Sequence, residues 1–281
     1  MNLRSFSAIR DYTPEDMTVT AEAGITLSAL QAVLAEKGQW LPIDPAHPER
    51  VTVRELISQD LFGPRRAGFG TIREHLIGIE VVLADGRIIH SGGKVVKNVA
   101  GYDLLKLFVG ARDSLGIITG ATFKLRPRPE QELVLMAQFD SLPSAWMTVR
   151  ALLDSPISAV VLDLHNLVPG RYTIVLVLAG TRTEVEWQRS HVVGFDSPST
   201  APQHEAIFWS DLPPVHTESV LPSKLPEVLA ALGSAPFLAR ALNGIVHHRG
   251  PGRPKPAIPL ALARRLKDAF DPRHILPEAP L

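Results

Sequence analysis

There is no cysteine anywhere in the 281 residues of this chain. That single absence excludes disulfides, cysteine-held iron–sulfur clusters, thiolate nucleophiles and cysteine zinc sites, and leaves any metal chemistry to histidine and carboxylates. An excess of either charge is missing too: 29 Lys+Arg stand against 29 Asp+Glu. A nucleic-acid binder carries a basic footprint, so nucleic acid is not expected as a partner. No apolar run approaches the roughly 18 residues of a membrane span. The start, MNLRSFSAIRDYTPEDM, lacks the apolar centre of a secretion signal. What the chain does have is a hydrophobic content of 45%, enough for an ordinary core in one large domain or two modest ones. These priors predict a soluble cytoplasmic protein.

Apolar periodicity divides the chain in two. In MTVTAEAG, Val19, Ala21 and Ala23 alternate onto one face, which predicts a strand closed by Gly24. A helix follows in TLSALQAVLAEKG, with Thr26 as cap, Leu27, Leu30 and Leu34 on one face and Gly38 as a left-handed terminus. Residues 51–70 show no clear period and end in GPRRAGFG, which reads as a loop. LIGIEVVLADGRIIHSGG predicts a hairpin turning through Ala84, Asp85 and Gly86. A short helix over 104–109 and a strand over 117–125 complete this half. RPRPEQE, residues 126–132, marks a boundary. Beyond it come a strand (132–139), a helix (144–155), two strands (158–166 and 171–180), helices near 183–190 and 225–234, one strand over 239–249 and a last helix over 260–270. That alternation predicts an α+β sandwich, one sheet with helices on a single face.

The candidates for chemistry cluster in two glycine-bearing stretches. In GGKVVKNVAGYDLLKLFVGARDSLGIIT, residues 92–119, glycines flank a short helix and allow backbone N–H groups to approach a phosphate closely. The alternative is that these glycines only make tight turns and that Lys97 and Asp103 form a solvated pair. Arg65 and Arg66 have planar forks suited to phosphate or carboxylate, and equally suit a solvated surface step. GPRRAGFG is not the nicotinamide dinucleotide fingerprint, because no strand precedes it and no helix opens at its end. His247 and His248 are neighbours that point to opposite faces of a strand, a poor arrangement for one metal. Asp163 and His165 share a face and read as a hydrogen-bonded pair. No metal site is assigned.

TPEDMTVTAEAGITLSALQAVLAEKGQWLPIDP, the run from FGPRRAGFG through GGKVVKNVAGYDLLKLFVGARDSLGIIT to KLRPRP, and the terminal LKDAFDPRHIL together resemble the FAD-linked oxidases of the vanillyl-alcohol oxidase and para-cresol methylhydroxylase type. Within that family GPRR, KNVAGYD and LGIIT resemble the glycolate-oxidase branch. The resemblance implies an α+β fold. A para-cresol methylhydroxylase type FAD-binding domain over 1–128 would precede an α+β cap domain with sheet and helices over 129–258, and a C-terminal helix over 259–281 would return to the first domain. It implies FAD as cofactor and a small hydroxy acid as substrate. Its implied partners are a second flavoprotein subunit and an iron–sulfur subunit, with location in the cytoplasm or peripherally at the inner membrane through them. Carried over position by position, the cofactor-binding residues would be Gly63, Arg65, Arg66, Gly70, Lys97, Asn98, Gly101, Tyr102, Asp103, Gly116, Ile117 and Ile118.

The chain also departs from the pattern. The family opens with a strand and a glycine-rich phosphate loop ahead of the first quoted block, and that loop is missing here. A second loop, usually a paired-glycine run before GPRR, is replaced by VTVRELISQDLF, with Arg54 and Glu55 at the glycine positions. Side chains there are expected to obstruct a diphosphate, and Glu55 adds a negative charge. The usual terminal Asn-Pro-Gly is also absent. His247, His248 and Arg249 give no clean match to the family's catalytic groups, so no catalytic residue is assigned. Two functions from different classes follow: an FAD-binding subunit of a glycolate oxidase-like complex, or a non-catalytic structural subunit that kept the fold and lost FAD. A misassigned start codon would explain the missing loop but not Arg54 and Glu55.

Overall fold

A computed structural model describes residues 3–93, 104–210, 215–252 and 260–278. They divide into two compact units: residues 1–63, 70–128 and 256–281 in the first, and 64–69 with 129–255 in the second.

The first unit holds strands β1 (Ile9–Thr13), β2 (Thr18–Glu22) and β3 (Gln39–Trp40), helices α1 (Leu27–Ala35) and α2 (Val53–Ser58), then, beyond α3 (Arg66–Phe69) of the second unit, α4 (Ile72–His75), β4 (Leu76–Val82), β5 (Ile88–Gly92), α5 (Leu105–Phe108), β6 (Ile117–Lys124) and β7 (Arg126–Pro127). Five strands pair in the order β1-β2-β6-β4-β5, antiparallel throughout. The predicted alternation in β2 is real: Val19 and Ala21 are buried, as is Ala23 just beyond it, and they pack with Leu27, Leu30 and Leu34 of α1. The Thr26 hydroxyl accepts from the Ala29 amide at 3.3 Å and starts α1, and Gly38 takes φ +65° after its end. The hairpin between β4 and β5 turns through Asp85 and Gly86, the latter at φ +85°.

The stretch 51–70, which shows no clear period and ends in the expected loop GPRRAGFG, contains α2 and α3. Thr52 and Glu55 form a reciprocal capping box, and α2 buries Val53, Leu56 and Ile57. Helix α3 packs Phe69 beside Val160, Val161, Val175 and Val177, and the added Cβ of any residue at Gly68 would meet Val160 at 2.9 Å. Burial of Phe69 against the second sheet accompanies the helical turn RAGF at the end of this stretch.

The second unit continues with β8 (Gln131–Phe139), α6 (Leu142–Leu153), β9 (Val161–His165), β10 (Tyr172–Gly180), α7 (Arg182–Ser190), α8 (His204–Phe208), β11 (His216–Ser219), α9 (Leu225–Leu232), β12 (Phe237–Arg240) and β13 (Ile245–His248). Its six-stranded antiparallel sheet runs β11-β13-β12-β9-β10-β8. The expected single strand over 239–249 is two strands, β12 and β13, turned at Gly244 with φ +71°. One face buries Leu162, Leu164, Ile174, Leu176, Leu178, Phe237, Ala239 and Val246 in a core that includes Ala145 and Val149 of α6, Val185 of α7 and Val228 and Leu229 of α9. The chain ends in α10 (Leu260–Phe270), which belongs to the first unit, where the Phe270 ring meets Phe108 edge-on at 6.1 Å. The α+β class expected from the alternation holds.

Candidate functional site

In the first unit the distinctive geometry surrounds α2. The Arg54 guanidinium grips Asp113 with both arms, Nε to Oδ1 at 3.1 Å and Nη2 to Oδ2, in a half-buried pair. Asp113 and its neighbour Arg112 both lie in the left-handed region, at φ +63° and +49°. Two consecutive non-glycine residues there carry strain, which the fork from Arg54 holds in place. The carboxyl end of α2 secures the same turn, since Ile57 O accepts from the Gly110 amide at 3.0 Å and Ser58 O from the Arg112 amide at 2.7 Å. This turn leads directly into Gly116, Ile117 and Ile118. A Cβ on Gly116 would lie 2.5 Å from Val81 Cγ1, so the glycine there lets the turn pass close to β4.

The other described residues predicted for the cofactor belong to both units. Gly63 packs against the Asp44 backbone, where a Cβ would come within 1.8 Å of the carbonyl oxygen. Gly63→Ala is therefore expected to destabilise the first unit by about 1–3 kcal/mol through overpacking, measured as a lower denaturation midpoint. Arg65 pairs with Glu132 in the second unit, and Arg66 opens α3 there. Gly70, at φ +91°, sits over the Glu74 carboxylate, which accepts from the Thr71 amide at 2.6 Å. Lys97, Asn98, Gly101, Tyr102 and Asp103, and with them the Lys97–Asp103 pair, lie outside the described residues.

Sequence reasoning missed a buried polar cluster on the face of the second sheet opposite α6, α7 and α9; α8 packs there, rather than on the single helical face expected. Register brings Asp163 of β9 beside Arg240 of β12, and Leu238 lies opposite both His165 and His247. Arg240 Nη1 donates to Asp163 Oδ2 at 2.5 Å and also to Glu205 Oε1. From α8, His204 Nε2 stands 3.2 Å from Asp163 Oδ2, and its ring stacks on His165 with centroids 5.2 Å apart. The partner of Asp163 is accordingly His204 together with Arg240, not the expected His165. Burial pushes the His165 imidazole down to about 4, helped by His204, and burial followed by Arg240 pushes His247 down to about 3. Both rings are neutral near pH 7. His247 Nδ1 meets Thr217 Oγ1 at 3.0 Å, while His248 meets Glu218 at 3.2 Å, so the two neighbours serve separate contacts. Asp163, His204 and Glu205 offer three ligand atoms within 4.8 Å of one another. The Arg240 guanidinium already lies against both carboxylates, so the cluster carries its own cation.

Comparison with known proteins finds likeness to FAD-linked oxidoreductases. The FAD binding domain family matches residues 1–92. Glycolate oxidase subunit GlcD of Bacillus subtilis is 38% identical over 161 residues, covering 57% of this chain and 34% of that protein. Glycolate oxidase subunit GlcE of Escherichia coli is 37% identical over 136 residues, 48% of this chain and 39% of that protein. A probable mitochondrial D-lactate dehydrogenase of Danio rerio is 38% identical over 147 residues, 51% of this chain and 29% of that protein. The chain therefore spans about a third of the length of these curated relatives. A solved alkyldihydroxyacetonephosphate synthase shares the fold, with TM-score 0.77 at 15% identity, over 98% of this chain and 66% of that one.

Proposed function

Because this chain belongs to the FAD-linked oxidase family and carries an FAD-binding domain of the para-cresol methylhydroxylase type, we propose that it is the FAD-binding subunit of a 2-hydroxy-acid oxidoreductase of the glycolate-oxidase kind. The observation that carries this reading is the similarity to two glycolate oxidase subunits and a D-lactate dehydrogenase at 37–38% identity. FAD supplies the two-electron acceptor for such an oxidation, and the protein supplies binding, orientation and electrostatics. We assign the first unit to the flavin and the second to the cap. Lys97, Asn98, Gly101, Tyr102, Asp103, Gly116, Ile117 and Ile118 are proposed as cofactor-binding residues, the partners are a second flavoprotein subunit and an iron–sulfur subunit, and the complex works in the cytoplasm or against the inner membrane. Among the described residues no helix is long and apolar enough to cross a membrane.

The described residues do not fit a diphosphate at α2, where the family resemblance puts a phosphate loop, because Glu55 caps that helix and Arg54 is bound to Asp113. That observation favours one alternative: a structural subunit that kept the fold and lost FAD. Absorbance of the purified chain and of its complex, with and without added FAD, separates the two. An FAD-binding subunit shows oxidised-flavin bands that bleach with glycolate or D-lactate. A colourless protein that releases no flavin on denaturation after FAD supplementation overturns the proposal in favour of the structural one.

A further inference from the structure

We infer that Arg54 and Glu55 close the amino end of α2 to a diphosphate, so that FAD bound by this domain takes its phosphate contacts from other segments. A helix start binds phosphate through amide N–H groups that have no partner within the chain. Here each of the first four is already used. The Thr52 amide donates to Glu55 Oε2 at 2.8 Å, and the Glu55 amide donates to Thr52 Oγ1 at 3.3 Å. The Val53 amide donates to Ile25 O at 2.9 Å and the Arg54 amide to Ala23 O at 2.8 Å. The Thr52 hydroxyl also donates to Glu55 Oε2, at 2.9 Å.

Charge acts in the same direction. The Glu55 carboxylate already occupies the positive end of the helix, and a diphosphate arriving there would meet its negative charge at close range. Arg54, in the first turn of the helix, is held two-handed by Asp113, whose carboxylate offsets its charge. Opening the site would break the capping box, the two backbone bonds to residues 23 and 25, and the Arg54–Asp113 pair. The side chains at these two positions are therefore structural groups that take the place of a phosphate ligand.

The inference rests on the FAD-binding reading only for the cofactor's name, and inorganic pyrophosphate tests it without flavin. The isotope-labelled full chain is titrated with pyrophosphate and then with FAD, following the amide resonances of residues 52–55. They are expected to stay fixed with either ligand. The double variant Arg54→Gly with Glu55→Gly, checked for folding by circular dichroism, is expected to bind pyrophosphate at least tenfold more tightly than the wild type. Saturable shifts of the 52–55 amides in the wild type overturn the inference, as does a folded double variant with unchanged pyrophosphate affinity. Should the double variant not fold, Glu55→Gln keeps the cap and removes the charge; its amides are expected to remain silent, and saturation of them again overturns the idea. A wild type that ignores FAD altogether, beside a double variant that gains pyrophosphate, sinks the proposed function and leaves the closure standing.

Discussion

Replacing Arg240 by methionine is expected to lower the stability of the second unit by about 3–5 kcal/mol, the usual cost of stranding a buried charge by removing its partner. Arg240 is 3% exposed and Asp163 1%. One guanidinium nitrogen serves both Asp163 and Glu205, so the substitution removes the cation they share, leaving His204 against Asp163 and Trp209 Nε1 donating to Glu205. Burial by itself raises the Glu205 carboxyl, and it is Arg240 that outweighs burial and holds it below its ordinary value. Without the arginine, burial is left to raise the Glu205 carboxyl, which then takes up a proton more readily in the folded state than in the unfolded one. Groups with raised folded values stabilise at low pH and lose that contribution as pH rises through the folded value. The gap between wild type and Arg240→Met is therefore expected to be widest near neutrality and to narrow toward pH 4. Adding Asp163→Asn and Glu205→Gln to the variant should recover much of the loss. Urea midpoints at pH 7 and pH 4.5, read by a probe in the second unit, check this. A gap independent of pH would mean that lost packing, not stranded charge, sets the cost.

The cluster explains why the fold was more legible than its polar interior. Helix α1 declares itself locally, with Thr26 as cap and Leu27, Leu30 and Leu34 one turn apart. The β4–β5 turn is just as local, through Asp85 and Gly86. Helix α2 is only six residues long, too short for apolar period to reveal it, and its Thr52-x-x-Glu55 box is its one local start signal, set in an otherwise irregular stretch. The strand over 239–249 divides at Asn243-Gly244, a hairpin signal inside an apolar stretch that otherwise alternates like one strand. Asp163, His204, Glu205, Arg240 and His247 come from β9, α8, β12 and β13, and meet only through sheet register and the placement of α8. No spacing in the sequence encodes that meeting. Its one local sign was an aspartate inside the apolar strand VVLDLH, where an unpaired charge would be costly and a distant partner had to exist. The family, by contrast, was legible as a resemblance carried by whole motif blocks of contiguous sequence.

Lys267→Met is expected to cost the first unit a similar 3–5 kcal/mol, although the residue lies near the chain's end, where substitutions are ordinarily tolerated. Its ammonium is buried and donates to Asp271 Oδ2 at 2.6 Å, Ser114 O at 3.1 Å, Leu276 O at 3.1 Å and Pro277 O at 2.9 Å. One point charge thus ties α10 to the tail that follows it and to the turn before Gly116. Asp271 completes the knot by accepting from the Ile275 and Leu276 amides at 3.0 and 2.9 Å. Burial acts to raise its carboxyl, but Lys267 and those two amides prevail and hold it down to about 2. A depressed folded value means that the stabilisation is complete above the unfolded value, near 4, and is lost as pH falls from there toward about 2. Methionine at 267 fills similar volume and removes the cation, so Asp271 loses its main support and the acid-sensitive contribution shrinks. Thermal midpoints between pH 7 and pH 2.5 should show a steep acid limb in the wild type and a shallower one, starting from a lower plateau, in Lys267→Met. A variant with wild-type stability at pH 7 would mean that the four acceptors find water as good a partner as the lysine, and that the tail is held by its apolar contacts alone.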